Sequence, residues 1–168
     1  MDFKNIFIVG SMGSGKTSIG KILAKNNHLS FLDTDHEIIR SCGYSIPDIF
    51  EKFGEEYFRE LETKQLREIH GIKNHVISTG GGIILQDQNI KLIEDLGIVI
   101  FLDISINAQI DRVKNRKNRP LLNNANLKDN LLSLKKIRDP IYKKISNYII
   151  DVTGKGRDQV VNEIQKVI

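Results

Sequence analysis

Short, unbroken apolar runs alternate along the chain with segments whose apolar residues recur at helical spacing. Asn5 to Val9 carries four consecutive apolar residues after the Asn, and Ile98 to Leu102 is apolar throughout. Runs this short and without alternation predict strands buried on both faces. Leu29 to Leu32, His75 to Ser78 and Tyr148 to Val152 predict three more short strands. Between them, Ser18 to Lys25 places Ile19, Ile22 and Leu23 on one helical face, and Ile104 to Lys114 reads the same way. Gln86 to Leu96 predicts a helix that stops at Gly97, a residue favoured just past a helix C-terminus. Leu127, Leu131 and Leu134 mark a helix running toward Tyr142, and Val160, Val161, Ile164 and Val167 face one side of a terminal helix. From Glu37 to about Gly71 the pattern is helical and highly charged, with breaks near Gly43 and Pro47 and again at Gly54. Asn115 to Asn126 has no apolar periodicity, and its polar composition predicts a loop of a functional kind.

Strands alternating with helices imply a parallel sheet covered on both faces. The expectation is one α/β domain over residues 1–168, with excursions at about 34–61 and about 113–126. Composition narrows the setting. No apolar run approaches the roughly 20 residues of a membrane-spanning helix, and Met1-Asp2-Phe3-Lys4 does not open like a signal peptide. The lone cysteine, Cys42, leaves no intrachain disulfide and fits a reducing compartment, so a cytoplasmic location is expected. The net charge of +4 is mild. The densest basic stretch (Lys114, Arg116, Lys117, Arg119) lacks the aromatic residues that stack bases, which argues against a nucleic-acid partner. No apolar stripe is left over for a second copy, and a monomer is expected.

The strongest chemical signal is Gly10-Ser11-Met12-Gly13-Ser14-Gly15-Lys16-Thr17, which fits G-x-x-x-x-G-K-[ST] at every fixed position. It lies between a buried strand and a helix, as the motif requires. Glycines there admit backbone shapes closed to other residues, so that successive N–H groups and the helix N-terminus face an anion. The chemistry assigns Gly13, Ser14, Gly15, Lys16, Thr17 and Ser18 to ATP, Lys16 supplying charge against the β- and γ-phosphates. Thr17 offers its hydroxyl to Mg²⁺. A GTPase would need an Asn-Lys-x-Asp guanine motif, and no Asn-Lys pair occurs. Asp151-Val152-Thr153-Gly154, which matches a D-x-x-G switch, is therefore read as coincidence.

Five further elements follow in order: Leu32-Asp33-Thr34-Asp35, Gly54-Glu55-Glu56-Tyr57-Phe58-Arg59-Glu60-Leu61-Glu62, Ser78-Thr79-Gly80-Gly81-Gly82, Arg119-Pro120-Leu121-Leu122 and Arg138-Asp139-Pro140-Ile141-Tyr142. Together with the phosphate loop they resemble the shikimate kinase family over about residues 5–142. That resemblance implies a P-loop NTPase fold like that of nucleoside monophosphate kinases, with a five-stranded parallel sheet flanked by helices. It also implies ATP-dependent phosphorylation of the 3-hydroxyl of shikimate, in the route to chorismate and aromatic amino acids.

The residue chemistry suits those roles. An alcohol nucleophile needs a carboxylate in hydrogen-bond reach, and the resemblance implies Asp35; Asp33 is implied to hold the Mg²⁺ hydration shell. On spacing alone, the pair could equally cap the next helix, with Asp35 as N-cap. A planar guanidinium grips a carboxylate through two parallel hydrogen bonds, and Arg59 and Arg138 are implied to form that clamp. Alone, Arg59 reads as a partner of Glu55, Glu56 or Glu62 on its own helix, and Arg138 as a partner of Asp139. Gly80, Gly81 and Gly82 are expected to let backbone amides meet substrate hydroxyls. Arg119 is placed in a lid that closes over ATP, and Arg112 and Arg157 are implied to lie near adenine. Nucleoside monophosphate kinases and gluconate-type kinases are the competing enzymes, and a non-catalytic ATP-binding adaptor is the competing class. The Phe58-Arg59 helix, the triple glycine and Asp35 favour a small hydroxylated acid.

Overall fold

The computed structural model describes residues 4–114 and 126–168. The lid motif and Arg119 lie outside the described residues. Five strands, β1 (Asn5–Val9), β2 (Ser30–Asp33), β3 (His75–Ser78), β4 (Gly97–Asp103) and β5 (Tyr148–Asp151), form one parallel sheet in the order β2-β3-β1-β4-β5. The helices are α1 (Lys16–Asn26), α2 (Thr34–Cys42), α3 (Ile46–Glu68), α4 (Asp87–Leu96), α5 (Ile106–Lys114), α6 (Leu127–Ile145) and α7 (Arg157–Gln165). This is the α/β arrangement the alternating pattern predicts. Among the described residues, no helix is long and apolar enough to cross a membrane.

β1, β3 and β4 are buried on both faces because alternate residues of each strand enter different cores. Ile6 and Ile8 pack with Leu23 of α1 and Val160, Val161 and Ile164 of α7. Phe7 and Val9 pack on the opposite side with Leu66, Ile93, Phe101 and Tyr142. A small separate cluster, Ile38, Ile49 and Phe58, holds α2 against α3.

Several boundaries differ from the sequence pattern for local reasons. Leu29 is not yet strand: its N–H closes the end of α1 on Ala24 O, and His28 sits at φ 55°. Helix α2 begins at Thr34 because Asp33, still extended, accepts hydrogen bonds from the N–H groups of Asp35 and His36. The N-cap is thus Asp33 and not Asp35. Pro47 opens α3 behind the N-cap Ser45, and the break at Gly54 is a residue at φ 84° inside that helix. Gly97 is not a left-handed cap but the first residue of β4, extended at φ −176°. It is small because a side chain there would collide with Asn5 O of β1. Val167 lies past the end of α7 and is exposed.

Candidate active site

The C-terminal ends of β1, β2 and β3 converge on one cleft, as the crevice rule for open α/β sheets anticipates. After β1 the chain turns through Gly10, Gly13 and Gly15, at φ 146°, 80° and 96°, into the first turn of α1. Gly10 has a second reason to be glycine, since a Cβ there would lie 2.8 Å from Leu102 O. Lys16 donates from Nζ to Gly10 O (2.7 Å) and Ser11 O (3.1 Å), holding its charge over the mouth of the loop. Thr17 donates from Oγ1 to Asp33 Oδ2 at 2.7 Å. Gly13, Gly15, Lys16, Thr17, Ser18, Asp33 and Asp35 line a cleft of about 150 Å³. Ser14 is fully buried, as part of the loop wall.

Beside it lies a larger cavity of about 720 Å³, lined by Ile46, Pro47, Phe50 and Phe58 and by Arg59, Glu62, Arg138 and the triple glycine. Met12, Asp35, Gly81 and Arg138 line both spaces, so Asp35 stands where the two meet. Arg59 donates to Glu62 Oε2 (2.7 Å) and Glu55 Oε1 (2.8 Å). Pairing on its own helix and facing the cavity are therefore not alternatives: the two carboxylates orient the guanidinium across the cavity wall. Burial works against the Arg59 charge, but Glu62 and Glu55 outweigh it and raise its pKa.

Gly80 and Gly82 owe their identity to close approach rather than to unusual φ angles. A Cβ on Gly80 would lie 2.6 Å from Asp35 Oδ1 and 2.9 Å from Glu62 Oε1, and one on Gly82 would overlap the Arg59 guanidinium. The Gly80 N–H is donated to Thr34 Oγ1 at 3.1 Å, and the lack of a side chain on Gly80 leaves clearance for two carboxylates. Tyr142 donates its hydroxyl to Gly81 O and fixes the middle of the turn. The buried Asn89 accepts from Thr63 of α3 and donates to Ile83 O, tying the helix that carries Arg59 to the residue after the triple glycine.

Sequence reasoning gave Thr34 and Tyr142 no role and Glu62 only that of a partner for Arg59, although all three lie within the quoted motifs. Glu62 is fully buried, and its Oε1 has no hydrogen-bond partner among the described residues. Burial raises its pKa to about 7 against the pull of Arg59, and neighbouring Asp35 adds to the rise. Arg138 reaches both cavities, while Asp139 is paired with Lys135 instead. Two further sites differ in reach. The guanidinium of Arg112 donates to Gly13 O, Ser14 O and Val152 O, and Arg157 is exposed at the start of α7.

Among the described residues no group of three or more His, Cys, Asp or Glu side chains could by itself hold a metal ion. Thr17 and Asp33 nevertheless offer hard oxygen donors side by side at the phosphate loop, which suits Mg²⁺, an ion bound through one or two protein oxygens together with substrate phosphates.

Comparison with known proteins fits this geometry. The family model described as "SKI: Shikimate kinase" matches residues 12–168. A shikimate kinase of Acinetobacter baumannii (strain AYE) is 43% identical over 165 residues, covering 98% of this chain and 92% of its own. A solved structure of shikimate kinase from Acinetobacter baumannii in complex with shikimate superposes with a TM-score of 0.91 at 43% identity, over 98% of this chain and 93% of that one. The Aquifex aeolicus shikimate kinase structure gives a TM-score of 0.82 at 36% identity, over 96% and 94% of the two chains.

Proposed function

The chain belongs to the shikimate kinase family, and from that premise we propose how its own residues carry out the reaction. The activity is ATP-dependent phosphorylation of shikimate, a step toward the aromatic amino acids. The observation that carries the residue assignment is the position of Asp35 at the junction of a phosphate cleft with a cavity walled by Arg59 and Arg138.

ATP lies with its phosphates in the loop of Gly13 to Ser18. The loop N–H groups and Lys16 neutralise charge on the transferring phosphoryl group. Mg²⁺, held by Thr17 and near Asp33, supplies further charge neutralisation when bound. The acid enters the larger cavity, where Arg59 and Arg138 grip its carboxylate and Phe58 covers the apolar face of the ring. This clamp directs a ring hydroxyl, the 3-hydroxyl, at the junction. Asp35 accepts the hydroxyl proton as the oxygen bonds to the γ-phosphorus and the bond to the bridging oxygen of ADP breaks. Asp33 does two jobs in this reading: it caps α2, which fixes Asp35, and it accepts from Thr17. Arg119, in the segment of about 113–126 read as a lid, meets the phosphates. The whole of 1–168 acts as one domain, with about 34–61 as the acceptor-binding excursion. The single cysteine and mild net charge support a cytoplasmic monomer whose partners are ATP and the acid, without nucleic acid or membrane.

The test is ADP release on mixing the protein with Mg²⁺-ATP and shikimate, gluconate, AMP, CMP or no acceptor. Release with shikimate alone is expected. Release with a nucleotide or gluconate would show that Arg59, Arg138 and the triple glycine serve another acceptor.

A further inference from the structure

Arg138 and Asp139 are adjacent in the chain, and both bear on the same corner of the site. The Arg138 guanidinium reaches the turn after β3: a Cβ on Gly81 would lie 3.4 Å from Arg138 Nη1 and 3.6 Å from the Tyr142 hydroxyl. Tyr142, one helical turn on, donates that hydroxyl to Gly81 O. Burial raises the pKa of this hydroxyl; Arg138 opposes the rise and Asp139 adds to it, so both charges act at one point. An acid thus stands beside the arginine that is read as half of the carboxylate clamp. Left unpaired, it would repel an incoming carboxylate and compete with it for the guanidinium.

One lysine meets that acid. Lys135 lies a turn before Asp139 on α6, and its Nζ is 2.5 Å from Asp139 Oδ2. The same Nζ donates to Asp103 Oδ1 at 2.9 Å. Asp103 ends β4, which is paired by β1 on one side and β5 on the other, so the lysine is anchored to an interior strand of the sheet. The side chains of Lys135 and Asp139 are 20% and 14% exposed, and water screens the pair only in part. Burial works against the Lys135 charge, but Asp139 and Asp103 outweigh it and raise its pKa. The other oxygen of the acid, Asp139 Oδ1, is buried and has no hydrogen-bond partner among the described residues. Compensation of this carboxylate therefore falls to Lys135.

We propose that Lys135 is a positioning residue for the acceptor: held by Asp103, it engages Asp139 and so leaves Arg138 to the substrate carboxylate. The proposal rests on the reading of Arg138 as part of the acid clamp.

Removing the lysine should weaken the clamp, and removing the acid as well should restore it. Shikimate and Mg²⁺-ADP are titrated calorimetrically, each without the other, into the full chain and into Lys135→Arg, Lys135→Met and the double variant Lys135→Met with Asp139→Asn. Thermal unfolding is recorded for each. Lys135→Met is expected to weaken shikimate about tenfold, the effect of one uncompensated charge acting across a partly buried site, and to weaken ADP much less. The double variant is expected to regain most of that loss, although it lacks both partners of the pair. Lys135→Arg, which keeps the charge, is expected to hold most of the affinity. In steady-state assays KM for the acid rises in Lys135→Met, while KM for ATP changes less. A pair that only braced the helix would leave the double variant no better than the single one, and that result would overturn the proposal. Unchanged shikimate affinity in Lys135→Met, or an equal loss of shikimate and ADP, would overturn it too. Arg138→Ala serves as the control on the underlying site: if it leaves shikimate binding intact, the clamp reading itself fails, whatever the Lys135 variants do.

Discussion

The phosphate cleft and the acid cavity share a wall and are built in opposite ways. The cleft is built around one stretch of chain, Gly10 to Ser18, whose shape is dictated by glycines and by the start of α1, and the ends of β2 and β3 with Arg138 complete it. The cavity draws on α2, α3, the turn after β3 and α6, and no two of its charged residues, Asp35, Glu55, Arg59, Glu62 and Arg138, are adjacent in sequence. A contiguous cradle binds a common feature of all nucleotides, while a scattered set of charges can be adjusted to one acceptor. Substitutions should therefore separate into two groups, with Asp35 and Arg138, which line both spaces, at the boundary between them.

Lys16→Met is expected to have the largest effect, lowering kcat/KM by about a thousandfold or more through loss of charge stabilisation on the phosphoryl group. Shikimate binding measured without nucleotide should hold; an equal loss there would merge the two regions. Asp35→Asn comes next, with turnover reduced about a hundredfold to ten-thousandfold for loss of a general base. ADP affinity, read by calorimetry, should stay constant, and unchanged turnover would remove Asp35 from the mechanism. Gly82→Ala introduces a methyl group where the Arg59 guanidinium lies. It should raise KM for the acid by about tenfold, the cost of displacing a charge-assisted hydrogen bond, and leave KM for ATP alone.

The smallest expected effect is a pH dependence confined to the acid cavity. Glu62, facing Arg59, Asp35 and Arg138, has a pKa raised by burial from 4.5 to about 7. Between those values the folded chain keeps a proton that the unfolded chain has lost, so the contribution of Glu62 to stability declines as pH rises through that window. An incoming carboxylate adds negative charge beside Glu62 and raises its pKa further. Binding then takes up part of a proton, and shikimate affinity falls as pH rises through about 7. Calorimetry in buffers of different ionisation enthalpy reads that uptake. Glu62→Gln should abolish it, and uptake persisting in that variant would assign it to another group.

The same contrast governs what was legible in the sequence. β1 and β3 have the limits their apolar runs predict, because strands buried on both faces leave a continuous signal. The phosphate loop was readable residue by residue. The cavity was readable only through resemblance, since nothing in the spacing of Arg59 and Arg138 brings α3 and α6 together. The burial of Glu62 escaped because a buried acid and a surface acid have the same sequence signature. Lys135 escaped because its bond to Asp103 spans 32 residues. Gly97 was assigned to a helix end when its smallness belongs to the contact between β4 and β1. In each case the missing information is a tertiary contact.

The central claim is that Arg59 and Arg138 define the acceptor by gripping its carboxylate. The most direct test compares shikimate with its carboxamide as ligands for the unaltered chain and for Arg138→Ala. The unaltered chain should bind the acid much more tightly than the amide. Arg138→Ala should lose most of that preference, with ADP binding intact. If the variant still prefers the acid to the same degree, the carboxylate is held elsewhere and the cavity does not choose its acceptor through this clamp.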